Sequence, residues 1–425
     1  MAIITYDQPE AYQLAYNDNV FVFRSAQPTP TKRFKVSVLP NGSLTPVATV
    51  RVYPTPSEFG GDHRAYVDVS RILQSKLGHD ISIPTANHLG FLPNTNSHYE
   101  YALLVQEEDV NSSGAYEVLG LGQFYEVKSV WNGVQNNIDW LDFTPSDYLM
   151  DTGAGNHKFL TDGPTVTDTR DVSANQSASL YFIGTEDNAP QGYYLTTYSD
   201  FNAGGSQLSN ILVSNPYAAA MSAGYTKRFL RVPVGTYDIP LTNPTQYSSG
   251  SPATVLNNVK SYSIRLWDNS ANPISEIVTF NIDRNCSKYT PVRLHWMNRL
   301  GGFDAFNFDL KSEESTNVAR KQYDQQAHTF TGTAWGYTKA RRGRTQYDTQ
   351  LSSMLKVNTN YLTEAESVWM ESLFTSPEVY QEVNNELVAV NIDGRSIQKK
   401  TSLNDKLMQY TFKLEYSLKN KRQRG

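Results

Sequence analysis

One cysteine, Cys286, stands in 425 residues, which excludes an intrachain disulfide framework and a multi-cysteine metal site. Beside an apolar run it reads as a small residue near a strand end rather than a nucleophile. Charge is sparse as well, at 19%, and the net charge is −5. That balance gives no global pull toward nucleic acid or an anionic membrane. Low charge with 39% apolar residues also argues against wholesale disorder. No uninterrupted apolar run approaches the ~20 residues of a spanning helix, so no membrane insertion is expected. The opening MAIITYDQPEAYQ lacks a basic segment and a long apolar one, so no secretory signal is expected. GxSxG, HExxH, Walker A and GxGxxG are all missing from the contexts that give them meaning. The seven histidines are scattered. The expectation is a non-enzymatic protein made in a cytoplasm, with no cofactor, catalytic residue or metal site.

What the chain has is aromatics, 12%, with 27 Tyr. Tyrosine suits strands and interfaces, because a rigid ring buries area while its hydroxyl stays wet. Length allows two to four domains at roughly 150 residues each. Short strands dominate the first part. They are Val20 to Phe23, Phe34 to Val38, Thr49 to Tyr53 beyond the Asn41-Gly42 turn, Tyr99 to Val105 and Phe124 to Val130. Ser70 is placed to cap a short helix, SRILQSKL. Trp131-Asn132-Gly133 reads as a boundary turn. A second β series runs from Ser179 to Ile282, broken by the polar loop Thr242 to Thr254.

The third part opens on VRLHWMNRLGGFDAFNFDL, residues 292–310. Val292, Leu294 and Trp296 alternate with Arg293, His295 and Met297, as in a half-buried strand. Asn298, Gly301 and Gly302 supply the turn, and Phe306, Phe308 and Leu310 resume the alternation. A polar run, Lys311 to Gln326, and an aromatic strand, His328 to Tyr337, come next. Thr363-Glu364-Ala365-Glu366 is a capping box for a helix carrying Ala365, Val368, Trp369 and Leu373, ended at Ser376-Pro377. Strands Leu387 to Ile392 and Leu407 to Tyr416 close the chain. The expected fold is mostly β, with multidomain β-sandwich-like units and an α+β C-terminal domain. Its divisions are 1–130, 131–285 and 286–425.

Candidate chemistry is thin. His295, on the polar face of a strand, reads as a surface histidine. Asp304 and Asp309 read as turn or salt-bridge residues, since calcium needs several converging oxygens. Glu107-Glu108-Asp109 reads as a solvated hairpin tip. A glycosidase pair distant in sequence leaves no signature. Two basic clusters remain, Lys339, Arg341, Arg342 and Arg344, and Lys419, Lys421, Arg422 and Arg424. Such runs are solvated, or neutralise phosphates, or dock on an acidic neighbour. They are the candidate subunit-interface or lumen-facing residues.

Three segments carry a resemblance: YTPVRLHWMNRLGGFDAFNFD, YLTEAESVWMESLFTSPEVYQEV and KLMQYTFKLEYS. Together they resemble structural proteins of tailed bacteriophages, closest to phages infecting Bacteroidetes, the crAss-like group among them. YVDVSRILQSKL looks like the opening domain of such proteins. The resemblance covers about the first and last thirds. It implies a virion structural subunit in the tail, baseplate or neck, forming a homo-oligomeric ring beside other virion proteins. Non-specific contact with packaged DNA belongs to the same expectation. The alternative is a carbohydrate- or receptor-binding module of a tail fibre, with Trp335 and Tyr337 stacking on sugars. An enzyme on a β scaffold, such as a depolymerase, would need converging carboxylates in a cleft.

Overall fold

The computed structural model describes residues 3–28, 31–56, 63–84, 90–136, 142–151, 156–165, 169–185, 190–218, 228–239, 259–268, 270, 272–284, 288–330, 332–337, 339–340, 343–394 and 408–418. Among the described residues strands account for 53% and helix for 7%, so the protein is mostly β, with several sheets. Cys286 and the loop Thr242 to Thr254 lie outside the described residues. The chain falls into two compact units, Met1–Arg284 with Met297–Asp304, and Asn285–Trp296 with Ala305–Gly425.

In chain order the first unit holds β1 (Ile3–Asp7), β2 (Tyr12–Leu14), β3 (Val20–Ser25), β4 (Arg33–Pro40), β5 (Ala48–Val52), β6 (Thr55–Pro56), β7 (His63–Asp68), α1 (Ser70–Gln74), β8 (Leu92–Pro93), β9 (His98–Val110) and β10 (Tyr116–Trp131). It continues with β11 (Leu149–Met150), β12 (Arg170–Ser173), β13 (Ser179–Gly184), β14 (Gly192–Tyr198), β15 (Gln207–Ser214), β16 (Phe229–Pro233), β17 (Ser261–Trp267) and β18 (Val278–Asp283). Sheets β1-β3-β7-β6 and β2-β10-β9-β4-β5 share one core, built on Phe21, Phe23, Phe34, Val67, Leu103 and Tyr125. Sheets β11-β13-β16-β8 and β12-β18-β17-β14-β15 share a second, built on Phe182, Leu230, Tyr262, Ile264 and Phe280. Each pair is a sandwich whose inward residues alternate with outward ones, as in β3. β8 pairs with β16, so residues ahead of β9 and β10 serve the second sandwich.

Two local expectations give way. Ser70 is the first helical residue of α1 and caps nothing. The Asp68 carboxylate instead accepts its amide at 2.9 Å and its hydroxyl at 2.8 Å, as an Asx side chain does two residues upstream of a turn. Glu107 and Glu108 lie within β9, buried, and not at the tip, which is Asn111–Gly114. Lys32 stands 3.5 Å from Glu107, while Arg33 and Arg51 reach Glu108 at 2.7 and 3.2 Å. Burial alone would raise the Glu108 pKa, but the two guanidiniums hold it below the usual range.

The second unit is a seven-stranded sheet. Its strands are β19 (Val292–Met297), β20 (Phe303–Phe308), β21 (Glu313–Asp324), β24 (Arg344–Asn358), β25 (Val379–Val383), β26 (Glu386–Ile392) and β27 (Thr411–Tyr416), with the small pair β22 (His328–Phe330) and β23 (Trp335–Tyr337) apart. The order β20-β19-β25-β26-β27-β24-β21 puts β20 and β21 at opposite ends, although only residues 309–312 join them. Such a link spans at most about 18 Å. Seven flat strands would separate the end strands by about 29 Å. The sheet must therefore curl, and Phe308 of β20 meets Phe412 of β27 across its inside at 5.7 Å.

Helix α2 (Glu364–Thr375) packs on this curl. Its capping box forms as the sequence indicates, with Thr363 Oγ1 accepting from Glu366 N at 3.2 Å and Glu366 accepting from Thr363 N at 2.8 Å. Trp369 and Leu373 are buried, whereas Ala365 and Val368 are exposed and Met370 takes their place. The Trp369 ring lies tilted against Trp296 at 5.3 Å and edge-to-face with Phe306 at 5.6 Å.

His295 is not on the surface. Both faces of β19 are buried, and the Glu382 carboxylate compensates the polar one, at 2.7 Å from His295 Nε2 and 3.4 Å from Arg293 Nε. The polar run Lys311 to Gln326 contains β21. His328 to Tyr337 is not one strand but the β22–β23 hairpin.

Two stability experiments follow from this packing. Thr363→Ala should lower unfolding free energy by ~1 kcal/mol and Trp369→Ala by about 3–5 kcal/mol, read as shifts in denaturant midpoint. An unmoved midpoint for Trp369→Ala would show that this face is not core. Gly301 has φ +84°, and a Cβ there would collide with the Asn132 carbonyl oxygen. Gly301→Val should thus cost about 3 kcal/mol, combining backbone strain and overlap. The loss should appear in melting of the first unit, to which residues 297–304 belong, rather than in the third part of the chain as the sequence alone suggested.

Candidate interaction surface

β21 and β24 pair along their length, from Glu313 with Lys356 to Asp324 with Arg344. β27 covers the other side of β24 only from Met354 to Asn358. Beyond that, the pair is a two-stranded ribbon that no further strand joins among the described residues. Gln325 N donates to Gly343 O at 2.6 Å, carrying the pairing one step past β21. Every residue of β21 is exposed. Inserted between the two strands in sequence, β22 and β23 pair His328 with Tyr337 and Phe330 with Trp335. The His328 ring lies 5.0 Å from Tyr337 and 5.8 Å from Trp335. Even so, Phe330, Trp335 and Tyr337 are 59%, 65% and 77% exposed. A two-stranded ribbon is marginal in water by itself, and large exposed aromatics on it mark a contact surface.

The predicted basic residues distribute unevenly. Lys339 is exposed just after β23. Arg344 opens β24 and lies 3.4 Å from Asp324, both largely solvated, a pair worth little to stability. Arg341, Arg342, Lys419, Lys421, Arg422 and Arg424 lie outside the described residues. Over the ribbon beyond β27, residues 316–353, the sequence carries six Lys or Arg against two acids, Asp324 and Asp348. The arm is therefore basic as well as aromatic.

A second exposed edge belongs to the first unit. β2 pairs with β10 only at Ser129–Trp131, so the earlier part of β10 has an outer edge to which no strand pairs among the described residues. Gly120 and Gly122, both at positive φ, interrupt its register with β9. The interruption throws Leu121 out, 94% exposed, and Phe124 stands 58% exposed. At the interruption lies a hollow of about 550 Å³ lined by Ile3, Glu107, Leu119, Gly120, Leu121, Gly122 and Gln123.

The buried ionic residues serve the fold. Asp304 accepts from Thr161 Oγ1, from Asn298 Nδ2 at 3.0 Å and from the Asp162 amide at 3.2 Å, with Arg170 at 3.5 Å. Burial raises the Asp162 pKa against the opposing pull of Arg299, and burial lowers that of Arg170 against Asp304 and Glu276. Among the described residues, no group of three or more His, Cys, Asp or Glu is placed to hold a metal, and no helix is long and apolar enough to cross a membrane.

His98, the first residue of β9, supplies a pH test. Burial, aided by the nearby Arg228 guanidinium, lowers its pKa to about 3 from 6.5. The folded protein thus binds fewer protons than the unfolded chain between those values. Stability should fall as pH drops through that window, by up to about 1.4 kcal/mol per pH unit from this residue. Chemical denaturation of His98→Gln between pH 4 and 7 should show a shallower dependence than the parent, and identical slopes would refute the assignment.

Compared with known proteins, the chain matches no family model and no curated protein.

Proposed function

We propose that this chain is a non-enzymatic structural subunit of a tailed-phage virion, forming a homo-oligomeric ring in the tail, baseplate or neck. The observation that carries the reading is the β21–β24 arm, a long ribbon with one strand exposed throughout and aromatic side chains at its end. Ordering each residue of such an arm costs roughly 1–2 kcal/mol, which burial against a neighbour offsets. The phage-like segments 289–309, 361–383 and 406–417 supply the class of assembly. Two sandwiches and a curled sheet suit a scaffold.

A second reading rests on Trp335 and Tyr337, whose exposed rings also suit stacking on a sugar. Glycan binding by the isolated chain would favour it. In the ring, the basic arm and tail face either a neighbouring subunit or the lumen. Contacts to DNA there would go to phosphates, without base readout.

Mass spectrometry of purified particles of a phage encoding this sequence should find the chain at many copies per particle. Its absence would overturn the proposal. Truncation after Ser417 should leave thermal unfolding unchanged, because β27 ends at Tyr416, while reducing incorporation into particles. Normal incorporation of the truncated chain would refute the role given to the tail.

A further inference from the structure

We propose that the aromatic end of the arm docks on a second copy of this chain, with Trp335 entering the hollow at the β10 interruption. This rests on the ring reading and specifies its contact.

The hollow has the chemistry of an indole pocket. Ile3, Leu119 and Leu121 give it apolar walls, and its 550 Å³ accommodates a large side chain. Glu107 lines it, only 2% exposed, and neither of its carboxylate oxygens accepts a hydrogen bond. Among the described residues its ionic neighbour is Lys32, at 3.5 Å. A buried acceptor without a donor is costly, and an entering donor relieves it. Indole is a large apolar ring with one N–H that donates and never accepts. Trp335 is the most exposed tryptophan of the described residues and sits on the arm.

Charge favours the same pairing. Between Gln106 and Val127 there is no Lys or Arg, and of the five acidic side chains there Glu107 and Glu108 are buried and already met by Lys32, Arg33 and Arg51. Glu117 and Glu126 among them are exposed on β10. The arm brings the opposite balance, six basic residues against two acids from residue 316 to 353. Potentials of opposite sign steer such surfaces together and set their register. Phe330 and Tyr337 have Phe124 and Val118, also exposed, to cover. Because arm and hollow are different surfaces, the contact is head-to-tail, the kind that closes rings by rotation.

The test uses full-length chains carrying Cys286→Ser. One carries Thr333→Cys, exposed beside Trp335 and leaving its ring in place, and the other Leu121→Cys. Mixed under mild oxidation, they should give a disulfide-linked heterodimer in high yield, while either alone should give little. In parallel, sedimentation of the parent should show self-association that weakens with salt. Trp335→Ser should weaken it at least tenfold, with Trp335→Phe, which keeps a ring but loses the N–H, intermediate. Unfolding midpoints should not move for either, since the side chain is exposed. Self-association without the heterodimer and without an effect of Trp335→Ser would overturn this docking and leave the ring intact. A monomeric parent at all concentrations would overturn the docking too. The ring reading itself falls on absence from particles.

Discussion

An unpaired strand edge is the constraint on which this architecture turns. Each strand carries amides and carbonyls along both sides, and a bare row of them invites another strand. The second unit answers by curling until its end strands are joined by four residues. The sandwiches answer with short end strands, such as β6 and β11 at two residues each. Among the described residues, the ribbon beyond β27 and the outer edge of β10 are left bare. Both carry large apolar side chains to solvent, opposite to what protects an edge. A monomer gains nothing from that arrangement.

Inside, the sheets bury polar faces along with apolar ones. Glu382 serves both Arg293 and His295, and Glu100 takes Arg228 at 3.0 Å and Asn41 at 2.7 Å. Removing one partner from such a site leaves an uncompensated charge, so these carboxylates are conditions for the packing around them rather than additions to it. The turn at Asn298 follows the same logic. Its side-chain oxygen accepts from the amides of Leu300 and Gly302, at 3.0 and 3.1 Å, while its amide group donates to Leu160 and Asp304.

Much of the strand content was legible because one face of most strands is buried and the other is not. SYSIRLW and the capping box at Thr363 emerge as read. Misreadings cluster where that contrast vanishes. β21 has no buried face, so EESTNVARKQYD carries no apolar alternation and reads only as a polar run. β19 has two buried faces, so His295 looks exposed by its neighbours' pattern while Glu382, 87 residues away, covers it. Glu107 and Glu108 fail for the same reason, since their cationic partners lie on other strands. For the arm, the one signal in the sequence is symmetry, two polar stretches flanking a turn-rich aromatic insert. The hollow beside Leu121 had none, because Ile3 and Glu107 meet it only through the fold.

β27 lies in the middle of its sheet, between β26 and β24, yet follows both in the chain. Until Thr411–Tyr416 leaves the ribosome, β24 and β26 each expose an edge, and Phe308 lacks Phe412. The unit thus has a vulnerable interval during synthesis, when long-range pairing waits on a late segment and exposed edges invite association with other nascent chains. That interval gives chaperones a defined moment to act.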